Sequence, residues 1–255
     1  MDYSEYLQET EILDYSSDII SRLPQWPAWL RMEEATRAAS IYDFVRNDIA
    51  FGYNASDDLP ASAVLADGYG QCNTKGNLFM ALLRKAGIPC RFHGFTIDKR
   101  LQRGAIPELL YALAPASIVH SWVEALVDGK WLNLEGFILD DAYLQSVQNA
   151  FASETGSFSG YGISTKQLQN PQVNWTGRST YIQKEGINKD FGVYDTPDAF
   201  FREHEGNSKG LVGWLYARFL RHMFNRNVAR VRSGQFGKLL PGQKPSGFCA
   251  SIAQL

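Results

Sequence analysis

Cys72 opens the run CNTKGNLFMALLRKA, directly after GYGQ, and that run has the composition of a long helix. A cysteine in a helix's first turn lies among N–H groups that have no intrahelical partner, at the positive end of the macrodipole. Both favour thiolate over thiol, the form that a cysteine nucleophile requires. The same N–H groups could stabilise an oxyanion on an attacked carbonyl. On the helical wheel Cys72 shares a stripe with Gly76, Phe79 and Leu83. Glycine mid-helix costs about 1 kcal/mol against alanine, and Gly76, one turn below the thiol, would let an adjacent sheet come close. Position alone also fits a small buried filler, a common role of free cysteines.

A base for such a thiol is offered by IVHSWVEALVDGKWLNLEGF. The segment alternates and contains Asp128-Gly129, a strong signal for a two-residue hairpin turn. With 128–129 as the loop, Val127 faces Lys130, Glu124 faces Asn133, Trp122 faces Glu135 and His120 faces Phe137. His120, Trp122, Glu124 and Leu126 then share one face with Trp131, Asn133 and Glu135. Glu135 becomes the diagonal cross-strand neighbour of His120, with roughly 7–8 Å between the two backbones. A carboxylate on one imidazole nitrogen would orient the ring and leave the other for the thiol. A one-residue slip would send Glu135 to the opposite face, and alone His120 reads more readily as a hydrogen-bonded core histidine. His93, beside Cys90 and Arg91, reads as structural or as a site wall. No pair of Cys or His has zinc spacing, so no metal is expected.

The elements around these residues follow from periodicity. Residues 1–39 read as an N-terminal helical segment, with helical spacing across 4–50 interrupted by Pro24 and Pro27. Residues 40–151 read as the core: a short helix, a turn at Gly68 and Gly70, the helix from Cys72 to Ala86 stopped by Gly87 and Pro89, a strand, a mixed segment over 98–117, the hairpin, and a helix near 140–151. Residues 152–232 read as a C-terminal extension with weak periodicity and a basic helix, and 233–255 as a disordered tail. The basic helix, within 209–232, carries Lys209, Arg218, Arg221, Arg226, Arg230 and Arg232 with no acid, alongside Trp214, Leu215, Phe219 and Phe224. It reads as a solvated face over a buried stripe, or as a cationic surface for an anionic partner.

Composition removes several function classes. With 255 residues, 45% of them hydrophobic, and a net charge of -2, the chain can bury a sizeable core and shows no global bias toward nucleic acid. Three cysteines are too few for a disulfide framework. The acidic start lacks the pattern of a signal peptide, and no apolar run approaches the ~20 residues of a membrane span. A reducing, cytoplasmic location is the expectation.

The stretch GYGQCNTKGNLFMALLRKAGIPCRFHGFTI resembles the core motif of the transglutaminase-like superfamily, and HSWVEALVDGKWLNLEG resembles its second half. The likeness covers about residues 40–145. It implies an α+β papain-like core, a nucleophile helix packed on an antiparallel sheet, with Cys72 as nucleophile, His120 as general base and acid, and Glu135 as the third residue. Most of the family has Asp followed by Pro there, where this chain has Glu135-Gly136. The implied activity is thiol-dependent acyl transfer on an amide of a protein or peptide, by hydrolysis or transamidation, without a cofactor. Tyr53, Asn54, Tyr69 and Gln71 are candidate second oxyanion donors, and Trp122 a candidate site wall. The alternative is a non-catalytic binding or scaffold module of the same fold.

Overall fold

The computed structural model describes residues 2–112, 114–204, 206 and 210–236. Its centre is the helix α3 (Cys72–Lys85), in which every residue from Cys72 to Arg84 is buried. A helix covered on all sides needs partners on all sides. One flank packs on a four-stranded antiparallel sheet; the others meet α1 (Glu34–Asn47) and α2 (Ala61–Asp67). The helix stops as expected. Gly87 takes φ +78, its N–H donates to Arg84 O, and Ile88 N–H donates to Leu83 O at 2.9 Å, a Schellman closure.

The sheet comprises β1 (Cys90–Asp98), β2 (Ser117–Val127), β3 (Lys130–Leu134) and β4 (Ile187–Tyr194), in the order β3-β2-β1-β4. The hairpin register agrees with the expected one, with Val127 opposite Lys130 and Glu124 opposite Asn133. Asp128 at φ 50 and Gly129 at φ 73 supply the two positive φ angles of a type I′ turn. Pairing ends at Val123–Leu134, so the expected facing pairs Trp122–Glu135 and His120–Phe137 do not form. Phe137 instead packs against Tyr42 and Phe79 inside the core. Glu135 N–H turns to Thr180 O at 3.1 Å.

Two readings of the flanks change. The first stretch of the 4–50 region is a set of short turns (Ser4–Leu7, Asp18–Ser21, Trp26–Trp29) rather than a continuous helix. The second and third contribute anchors instead, with Ile20, Trp26 and Trp29 buried, and Leu13 ahead of them is buried as well. The sheet also does not respect a division at residue 151, because β4 lies at 187–194 and pairs with β1. Helix α4 (Asp141–Ala150) precedes β4, and after β4 come α5 (Pro197–Glu203), α6 (Gly210–Leu215), a π-helical turn at Tyr216–Leu220, and α7 (Arg221–Arg232). The expected tail from 233 lies mostly outside the described residues.

Gly76 does not play the role its spacing suggested. A Cβ there would meet Ser121, Val123 and Phe137 at 3.8–3.9 Å, ordinary contact. The close approach is at Gly94, where a Cβ would fall 2.2 Å from the ring of buried Phe200 on α5. Gly76→Ala should therefore stabilise the protein by roughly 0.5–1 kcal/mol in denaturant unfolding. Gly94→Ala should destabilise it by about 1–3 kcal/mol.

Candidate active site

Cys72 is the first residue of α3 and is 8% exposed. A hydrogen-bonded polar chain holds that helix start. Gln71 N–H donates to Thr74 Oγ1 at 3.1 Å, and Thr74 donates to Asn54 Oδ1 at 2.6 Å. Gln71 Oε1 accepts from Asn54 N–H, while its Nε2 donates to Asp57 Oδ1 at 3.1 Å. Asn73, next to the thiol, also donates to Asp57 Oδ1, at 3.0 Å. Asn73 then reaches both neighbours of His120. Its Nδ2 donates to Val119 O at 3.3 Å, and its Oδ1 accepts from Ser121 Oγ at 2.9 Å. The residues flanking the thiol and the imidazole are thus tied through one amide.

His120 and Glu135 are both fully buried, with Nε2 2.8 Å from Oε1. A buried carboxylate needs several donors, and the second oxygen has them. Glu135 Oε2 accepts from the backbone N–H groups of Ile182, Gln183 and Lys184 at 2.8, 3.0 and 3.1 Å. Three successive N–H groups aimed at one oxygen form an anion-binding nest. The other imidazole nitrogen, Nδ1, is buried and makes no hydrogen bond. Burial alone would push the imidazole pKa down. The Cys72 thiol, and then the Glu135 carboxylate, outweigh burial and leave it pushed up to about 9.

Cys72 faces a cavity of about 360 Å³. Its walls are mostly apolar: Phe51 and Tyr53, Ile106 and Leu110 from the 98–117 segment, Ile118 and Val119 from β2, and Leu215, Leu220 and Phe224 from the C-terminal helices. Its polar lining includes Gln71, Gln102 and Gln183. Tyr53 donates its hydroxyl to Gln102 Oε1. Gln183 donates to Gly162 O at 2.6 Å, while its buried Oε1 has no partner.

Of the expected wall residues, Tyr53 and Gln71 line this cavity. Asn54 lies wholly inside the polar chain under the helix start. Tyr69 instead accepts from Arg221 at 2.9 Å. Trp122 is outside the cavity lining, packed among Phe95, His93 and Tyr181, and its buried Nε1 has no partner. The basic helix carries an additional function, since its apolar face roofs the cavity. It is fastened by Asn225, whose side chain accepts from Tyr53 N–H and donates to Tyr53 O, and by Arg232, paired with Asp140 at 2.7 Å. The spacing Tyr216, Leu220, Phe224 could have revealed that face. Nothing in side-chain chemistry marks Ile182–Lys184, whose contribution is backbone alone. Among the described residues no cluster of His, Cys, Asp and Glu could hold a metal.

Residues 29–136 match the model of the transglutaminase-like superfamily. That segment is similar to the transglutaminase-like superfamily over somewhat less than half of the chain. The match begins within the N-terminal turns and ends just after Glu135, so it holds Cys72, His120 and Glu135 but neither the nest nor β4. The chain is also similar to the crystal structure of a proposed cysteine protease from Cytophaga hutchinsonii, with 12% identity and a TM-score of 0.43. The likeness covers 78% of this chain and 49% of that one, so the chain spans about half the length of that protein. No curated protein matches the sequence.

The buried imidazole makes a direct prediction. A histidine whose folded pKa is raised from 6.5 to about 9 contributes stability that is complete below 6.5. That contribution is lost as pH rises through 9, and is on the order of 3 kcal/mol. NMR titration should find one histidine near 9 in the native protein and well below that in Cys72→Ser and Glu135→Gln. The stability lost between pH 6.5 and 9 should shrink in both variants.

Proposed function

We propose that this chain is a thiol-dependent acyl-transfer enzyme that opens an amide bond through Cys72, His120 and Glu135. The observation that carries this reading is the asymmetry of His120. One ring nitrogen is fixed by a carboxylate that is itself fixed by three N–H groups, and the other, unpartnered, belongs to a ring coupled to the thiol. A structural histidine would satisfy both nitrogens. A scaffold that had lost its chemistry would have no use for a buried charged pair that apolar residues could replace without loss.

In this reading the Cys72 thiolate attacks the carbonyl carbon of the amide. Negative charge gathers on the carbonyl oxygen, within reach of the Cys72 N–H and a glutamine amide of the cavity wall. Gln71 keeps a second Nε2 hydrogen beyond the one it gives Asp57. As the C–N bond breaks, imidazolium His120 gives its proton to the leaving amine, and the thioester remains. Water, deprotonated by His120, then attacks the thioester, releasing the acid and restoring the thiol. An amine in place of water would give transamidation; hydrolysis is the simpler outcome, because amine transfer requires a site that excludes water. The apolar walls suit an uncharged acyl donor with an apolar group beside the reacting bond.

Iodoacetamide at neutral pH, read by mass spectrometry, tests the thiol. Cys72 should be alkylated faster than a cysteine in an unstructured peptide, and Glu135→Gln should slow this. Peptides with glutamine or apolar residues should be hydrolysed by the native chain, with losses of about 10³-fold or more in Cys72→Ala and His120→Ala. Glu135→Gln should lose about 10²- to 10⁴-fold. Ordinary labelling rates together with no turnover across the peptide panel would count decisively for the scaffold alternative.

A further inference from the structure

The C-terminal helices have two faces with different tasks. Tyr216, Leu220, Phe224, Val228 and Val231 turn inward, onto the cavity and the core. The outer face, at helical spacing, carries Leu215, Arg218, Phe219, His222, Met223, Arg226 and Arg230. Here large apolar side chains stand in solvent: Trp214 is 58% exposed, Phe219 55%, Met223 47% and Leu215 41%. Elsewhere the exposed large apolar residues, Ile19, Leu30 and Val193, are scattered singly, which is ordinary for a protein surface. Among the described residues they gather on this face alone, and Trp214 and Phe219 pack edge to face with centroids 6.0 Å apart.

The charges on the same face are uncompensated. Arg218, Arg226 and Arg230 are exposed and make no ion pair among the described residues. Residues 206–255 hold eight of the 25 basic residues and none of the 27 acidic ones, so the rest of the chain is strongly acidic and this end strongly basic. Helix order here comes from the inner face and from Arg221, Asn225, Asn227 and Arg232, so the outer residues are dispensable for folding.

From this we infer that the outer face of Trp214–Arg230 is a docking surface for an anionic lipid membrane. A helix with bulky aromatic and aliphatic side chains between unpaired arginines, and no acid, has the composition of one that lies in a membrane interface. A second copy of the chain fits poorly. A two-fold contact sets the patch against itself, bringing Arg218, Arg226 and Arg230 together without a counter-charge. Leu215 belongs both to this face and to the cavity wall, so docking would bring the cavity rim to the lipid surface, where apolar acyl donors are concentrated.

The full chain should co-sediment with vesicles of phosphatidylcholine containing a third phosphatidylserine, far better than with phosphatidylcholine alone. The tryptophan emission should shift to the blue on binding, an effect lost in Trp214→Ser. Each basic residue at such a surface contributes roughly fivefold to affinity, so R218Q/R226Q/R230Q should bind about a hundredfold more weakly with its thermal midpoint unchanged. Trp214→Ser with Phe219→Ser should weaken binding to anionic vesicles at high salt, where apolar insertion dominates. Equal binding to both vesicle types, or unaltered binding by both sets of variants, overturns the inference. So does a native dimer that these substitutions convert to monomer, or binding to polyglutamate but not to vesicles; these outcomes would assign the face to a second copy or to an acidic protein.

Discussion

A carboxylate and an imidazole with no solvent exposure, 2.8 Å apart, are the constraint from which the rest of this structure can be reasoned. Removing two ionisable groups from water costs several kcal/mol each, and their mutual contact offsets only part of it. The remainder must come from donors to the second carboxylate oxygen, and those come from Ile182, Gln183 and Lys184. The chain must therefore return to Glu135 some 47 residues later. Thr180 accepts the Glu135 N–H and receives the Leu134 strand as a bridge partner. The nest runs directly into β4, which pairs with β1 on the far side of the sheet. The closing of the site and the completion of the sheet are one event in the chain.

The thiol depends on a parallel arrangement. Because α3 is buried throughout, its free N–H groups at Cys72 cannot rely on bulk water, and a polar chain running from Asn54 through Gln71 and Asp57 to Asn73 surrounds them. Asn73 extends it to β2 on both sides of His120. The distance between the helix start and the histidine strand is thereby set by bonds to residues adjacent to Cys72 and His120. Lys75 does a similar service one turn on. Its buried ammonium donates to Arg46 O and Ile138 O, each at 3.1 Å, and burial holds its pKa well below the ordinary lysine value. It pins the turn that follows Glu135 to the end of α1.

Much of this was legible because it is local. The Cys72 helix announces itself by composition and by Gly87-Pro89. The Asp128-Gly129 turn, whose two positive φ angles only a few residue types tolerate, dictates the hairpin register and so the approach of Glu135 to His120. The rest is long-range. Backbone N–H groups of 182–184 carry no residue signature, and β4 (INKDFGVY) is short, half polar and bulged, so alternation fails there. Gly76 misled because a rule about helix propensity gives no information on what lies opposite; the space there accepts a methyl group. The basic helix was legible as amphipathic, but which cavity its apolar side covers depends on Asn225 and Arg232, whose partners Tyr53 and Asp140 are far away in sequence.

The departure at the third position follows from the same geometry. Strand pairing ends at Leu134, and Glu135 takes φ -126 and ψ -26 at the start of a tight turn. From there the carboxylate must span from the imidazole to the nest, and the extra methylene of glutamate supplies the reach. A proline after it could not be accommodated. Any Cβ at Gly136 would lie 2.5 Å from the Tyr42 hydroxyl and 2.8 Å from Val173 Cα. A proline would also remove the N–H that Gly136 donates to Thr180 Oγ1 at 3.1 Å. That hydroxyl also accepts from Glu135 N–H, at 3.3 Å, and joins the Tyr42 hydroxyl at 3.2 Å. Glutamate and glycine are therefore coupled choices. The turn packs so tightly against α1 and Thr180 that its second residue must be bare, and its first must reach outward to both the histidine and the nest.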